Sequence, residues 1–217
     1  MPMQPAPDET FEKILDISRE LFAEKSFEDV SLEDILGKLD EDARKEFYKH
    51  FTSKREVLNA LFDRTYTGQN NGLDNIMISA DYNGKERLQA VIKNDLERNL
   101  SSENNKAMIK VYSGLMKSPS FFAEKFAIDM QTVKIIESLI DEGMEDGSFG
   151  QGCPKLMAEV CMMFVNFWMF PKLYPASSAN EISQKVDMIA KMTTAIGMDI
   201  VDDELKDLYV KIFEAAR

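Results

Sequence analysis

Between Phe11 and Ile212 the apolar residues of this chain return every three or four positions, and no segment alternates apolar with polar residues between turn signals on both sides. A 3.6-residue stripe is buried only by laying it against other helices, so the pattern confines the chain to an all-α fold, with nine or ten helices expected. Its 217 residues are enough for a substantial core, arranged either as one domain or as a small domain joined to a larger one.

The spacing divides the chain. Phe11, Ile14, Leu15, Leu21 and Phe22 predict a first helix to about residue 24, capped by Asp8 or Thr10, behind a leader over residues 1–9. Ser31 and Asp34 form a capping box ahead of Leu32, Ile35, Leu36 and Leu39, which fills only two turns. Asp40 caps a third helix with Ala43, Phe47 and Phe51 inward, and Ser53 with Glu56 opens a fourth carrying Val57, Leu58, Leu61 and Phe62. Residues 10–66 therefore read as a small three-helix unit plus the start of a longer helix. Residues 67–84 hold three glycines and four asparagines, which marks a connection and a domain boundary, with a larger helical domain over 67–217. There, Leu88, Ile92 and Leu96 mark one helix, and Met108, Ile109, Tyr112, Leu115 and Met116 another. Ser118 and Pro119 open a long helix that Gly143 and Gly147 end, and Pro154 opens an apolar helix to residue 170. Ile182, Val186, Ile189, Thr193 and Ile196 mark the next, and Leu205, Leu208, Tyr209 and Ile212 the last.

Charge and composition narrow the function. The net charge is −12, and residues 8–64 carry 16 acidic against 10 basic side chains, a net of −6, so contact with nucleic acid has to be local rather than generic. Cys153 and Cys161 stand eight apart, in no metal or redox spacing, and read as small buried residues of a reduced cytoplasmic chain. The most apolar stretch, residues 160–170, is interrupted by Asn166, closed by Pro171 and far short of the ~20 residues of a membrane span, and the first ten residues do not resemble a secretory signal. No membrane association is expected. His50 is the only histidine, which rules out multi-histidine metal sites and leaves one imidazole for base chemistry. Asp202, Asp203 and Glu204 read as a helix opening rather than an acid–base set. No catalytic residue, metal or cofactor is expected, and the chain reads as a binding protein rather than an enzyme.

The segment "YKHFTSKREVL", residues 48–58, resembles the TetR family of bacterial transcriptional regulators. Residues 14–36 are similar to that family's first helix, turn and second-helix start, with Phe27 and Ser31 where the family has an aromatic residue and a Ser or Thr, and residues 135–150 are similar to a helix ending in its C-terminal domain. The resemblance implies a homodimer with an N-terminal helix-turn-helix on operator DNA and a larger domain that binds a small molecule and dimerises. It assigns phosphate contacts to Tyr48, Lys49, His50 and Lys54, to which Arg44 and Lys45 add the other basic residues of the third helix. On the residues alone, Tyr48 and His50 serve equally well as packing or surface residues, and Ser31 is chiefly a cap with an added phosphate contact. The sequence departs from the family between Leu39 and Phe47: a glycine, an apolar residue and a Ser or Thr ahead of a small residue are replaced by "DEDARKE", one residue longer. A recognition helix presents its N-terminal residues to bases and phosphates, and here that turn is acidic. The alternative function is a TetR-like dimer with weakened or lost DNA binding that serves as a small-molecule or protein-binding module.

Fourteen methionines, several of them among the aromatics of the second domain, suit an irregular apolar pocket. Phe126, Met130, Met163, Phe167 and Trp168 are the expected lining for a small apolar or amphipathic ligand, against the plainer role of packing the core or a dimer interface. Dimerisation is expected through residues 154–170 together with residues 180–196.

Overall fold

The structure is a computed structural model that describes residues 9–67, 73–116, 118–169 and 173–216, and every regular element among them is a helix. The all-α fold expected from the periodicity is the fold observed. The N-terminal head consists of α1 (Glu9–Lys25), α2 (Leu32–Lys38), α3 (Glu41–His50) and α4 (Lys54–Phe62), the last running on into a π-helical turn, Asp63–Thr67. Their starts follow local chemistry. Ser31 accepts from the Asp34 N–H while Asp34 reaches back to the Ser31 N–H, a complete capping box; Asp40 accepts from the Ala43 N–H and Ser53 from the Glu56 N–H. The Glu56 carboxylate turns to the N–H and hydroxyl of Thr52, so the expected reciprocal half of that second box is displaced by one residue. Thr10 lies inside α1 and is not its cap, and Asp8, with most of the leader, falls outside the described residues.

The larger domain comprises α5 (Leu73–Ile78), α6 (Gly84–Leu100), α7 (Glu103–Leu115), α8 (Pro119–Glu145), α9 (Pro154–Met162) with a π-helical continuation Met163–Trp168, α10 (Ala179–Ala195) and α11 (Asp203–Ala215). The segment expected to be only a connection holds α5, six residues whose short helix the surrounding glycines and asparagines concealed. Gly143 does not end α8 but lies within it, because α6 begins against that spot: a Cβ on Gly84 would sit 2.3 Å from the Gly143 nitrogen, and one on Gly143 would meet the Phe149 ring. The positive φ of +79° that closes the helix belongs to Gly147. Cys161 is buried as expected, and desolvation pushes its thiol up to about 12, whereas Cys153 is exposed at the start of α9.

Two apolar cores result. Ile14, Leu15, Phe22, Ile35, Phe47, Leu58 and Leu61 close the head, and Met108, Val111 and Leu115 of α7 are buried in that same cluster. The second core gathers residues of α6, α8, α9, α10 and α11, among them Leu88, Ile140, Met162, Val186 and Leu205. Helix α7 packs on α1 and also touches α6 and α11. The head is thus completed by a helix that follows the sequence boundary.

Candidate nucleic-acid interface

Helix α2 ends at Lys38 and α3 begins at Glu41, so the turn of the helix-turn-helix consists of two cap residues, Leu39 and Asp40, both with extended backbone. Leu39 is buried and anchors the turn, while Ala43 and Phe47 hold the inner face of α3 in the core. The acidic run that departs from the family pattern is thereby split. Asp40 is consumed by capping and by an ion pair with Lys13, which, with the Ala43 N–H, holds its carboxyl below the usual 3.8. Glu41 and Asp42 form the exposed first turn, with the Lys45 ammonium 2.9 Å from Glu41 and 3.9 Å from Asp42. Carboxylates here also complement the positive end of the helix dipole.

The seven residues expected to face DNA fall into different environments. Lys45, Tyr48 and Lys49 are exposed and stand three and four residues apart, on one face of α3. Tyr48 sets its ring edge-on to Phe47 and is 62% exposed, and Lys49 pairs with Glu46 at 2.5 Å. His50 packs against Phe11, ring centroids 5.7 Å apart, and against Phe51. Ser31 is exposed at the start of α2 and is bound to Asp34 through both N–H and hydroxyl. Arg44 turns back: its Nε donates to the Leu36 carbonyl at 2.9 Å and an Nη to that of Leu39 at 3.3 Å. Lys54 also turns back, donating to the carbonyls of Phe27 and Val30, each at 2.8 Å, with its ammonium 4.4 Å from the Phe27 ring centroid. The roles of Arg44 and Lys54 leave no local signal in the sequence, because backbone carbonyls are present at every residue.

In the larger domain, Phe126 and Phe167 meet with ring centroids 5.8 Å apart, and Phe122 lies 5.9 Å from Phe167. Met130, one turn beyond Phe126, is partly exposed; Trp168 packs against Phe164 and the second core. Met163, the first residue of the π-helical continuation, is 53% exposed and stands at helical spacing from the exposed Leu156 and Val160 of α9. A wide, open depression lies elsewhere, beside Tyr82, Asn83, Arg87, Glu142 and Asp146, but Arg87 pairs with Glu142 and Asp146 accepts from the Gly84 N–H, so its polar groups are engaged with one another. Among the described residues no cluster of three or more His, Cys, Asp or Glu side chains is gathered to hold a metal. No described helix is long and apolar enough to cross a membrane.

The head of the chain is all-α and carries a helix-turn-helix, α2 and α3, whose second helix shows its outer face to solvent. Residues 14–61 match the family model of bacterial regulatory proteins, tetR family. The fold is similar to the TetR-family regulator PfmR from Thermus thermophilus, at TM-score 0.57 and 20% identity over 90% of this chain and 99% of that one. It is also similar to the ketosteroid transcriptional regulator KstR2 of Mycobacterium tuberculosis, at TM-score 0.54 and 18% identity over 88% and 97%. A TetR/AcrR-family regulator from Thermobifida fusca matches at TM-score 0.52 and 17% identity over 94% and 97%. No curated protein matches the chain by sequence. The family match covers residues 14–61, and over most of its length the chain has a fold similar to that of TetR-family regulators.

Proposed function

We propose that the protein is a ligand-responsive transcriptional regulator that binds operator DNA as a homodimer, with Lys45, Tyr48 and Lys49 of α3 as its groove-facing set. The observation that carries this function is the seating of α3: Phe47 and Ala43 fix it in the head while those three side chains project together from its outer face. The acidic turn is a smaller obstacle than its composition suggests, since Asp40 is tied to Lys13 and Lys45 lies between Glu41 and Asp42. That disposition favours the DNA-binding function over a module that has lost it. For the ligand, the meeting of α8 with the π-helical segment supports an apolar or amphipathic molecule set against Phe126 and Phe167, with Met130 one turn along; π-helical turns interrupt helices where functional sites are common. Met163 fits the dimer face better than the ligand site. As a regulator of operator DNA it acts in the cytoplasm.

The test is a titration of the purified protein against duplexes from upstream of its own gene and shuffled duplexes of equal composition, over a series of salt concentrations. A sequence-preferring complex on two half-sites about one helical turn apart is the expected result. Equal affinity for all duplexes down to low salt would overturn the assignment.

A further inference from the structure

We propose that Arg44 is a positioning residue that sets α3 against α2, rather than a phosphate contact; the proposal rests on the DNA-reading function above. The last carbonyls of any helix lack intrahelical donors, and many helices satisfy them with a glycine in the left-handed region just past the end. Helix α2 has no such glycine: Leu39, at φ −76° and ψ 145°, leads straight into the cap of α3. The missing donors come from the next helix. The Arg44 guanidinium spans from the Leu36 carbonyl in the last turn of α2 to the Leu39 carbonyl in the connection, at 2.9 and 3.3 Å. A planar fork with fixed N–H directions can hold two carbonyls at once, which an ammonium on a flexible stem does poorly. Arg44 stands one turn into α3, directly after the capped Ala43, so the bracket joins the end of α2 to the end of α3 that enters the groove. The arginine thereby bridges the end of α2 and the start of α3 across a turn that no left-handed residue closes, and holds the two-residue turn in place.

Arg44→Lys and Arg44→Met separate the two roles. The measurements are binding to the upstream duplex the wild-type protein prefers and to its shuffled control across salt, and amide hydrogen exchange of residues 36–43 in the DNA-free protein. For a positioning residue, both substitutions lower affinity for the preferred duplex about tenfold, both speed exchange across the turn, and the salt dependence on the shuffled duplex stays at the wild-type slope. Wild-type affinity in Arg44→Lys, with a log–log salt slope shallower by ~0.9 in Arg44→Met, would identify a phosphate contact and overturn the proposal. Unchanged exchange in Arg44→Met would overturn it as well. Should the wild-type protein show no sequence preference, the regulator function fails on its own evidence, and the exchange measurement alone decides whether Arg44 holds the turn.

Discussion

Lys54, which the family resemblance directs toward phosphate, spends its ammonium on the protein. It donates to the Phe27 and Val30 carbonyls and lies over the Phe27 ring, fastening the first turn of α4 to the chain between α1 and α2. Hydrogen bonds from a charged donor are worth ~1.5–3 kcal/mol where they are shielded, and this site is only partly so. Lys54→Met, which keeps the stem and removes the donors, should lower unfolding free energy by ~1–2 kcal/mol in urea denaturation. A midpoint indistinguishable from wild type would mean the carbonyls are equally well served by water. Ser31, Asp40 and Asp202 were legible as caps because each accepts from an N–H three residues on, a distance the sequence displays. The Phe27 and Val30 carbonyls lie 27 and 24 residues from Lys54, and nothing in their side chains announces them. His50 shows the same limit: its packing on Phe11 depends on how α1 and α3 cross.

Helix α3 is the element in which charge and family pattern disagree, and its geometry divides the acidic turn into a structural residue and two surface ones. Asp40 belongs to the cap. Glu41 and Asp42 remain exposed beside Lys45, in the first turn of the helix proposed to face DNA, and act as counter-charges to the lysine. Exposed ion pairs of this kind add little to stability but count in the field that meets an incoming duplex. Replacing both by Gln and Asn, as Glu41→Gln with Asp42→Asn, should strengthen binding to shuffled duplex about tenfold at low salt, with the gain shrinking as salt rises and the helical content unchanged. Fluorescence anisotropy at several salt concentrations measures this. Affinity that stays constant across the series would place the first turn of α3 away from the DNA. The inner face of α3 was readable from Ala43, Phe47 and Phe51, all buried as the spacing required, whereas the two-residue turn was not. Asp40 marked the start of α3, but Leu39 continues the apolar spacing of α2, and nothing beside it shows that the helix stops at Lys38.

On the scale of the whole molecule, the division at residues 67–84 shows in the sequence as glycine and asparagine, yet the packing crosses it. Met108, Val111 and Leu115 complete the head core from α7, Tyr112 meets Phe62 and Phe121, and Arg55 of α4 pairs with Glu124 of α8. Periodicity locates the buried side of α7 but does not say which helix covers it. Helix α9 poses the corresponding question for two copies. Met157, Ala158, Cys161 and Met162 face the core, while Leu156, Val160 and Met163 form an exposed apolar stripe at helical spacing, with Met188 exposed on α10. A stripe of this kind is best covered by a second copy, and a stable interface needs ~1,000 Å² or more in total. A twofold interface uses the same patch on both copies, so one substitution places charge on both sides. The double substitution Leu156→Glu with Val160→Glu therefore puts four carboxylates into the interface, and sedimentation at micromolar concentration should show a monomer with the circular dichroism of the wild type. Operator affinity should fall with it, because the two half-sites no longer bind as one unit. A dimer that survives the four charges would place the interface on another face of the larger domain and return Leu156, Val160 and Met163 to ordinary surface.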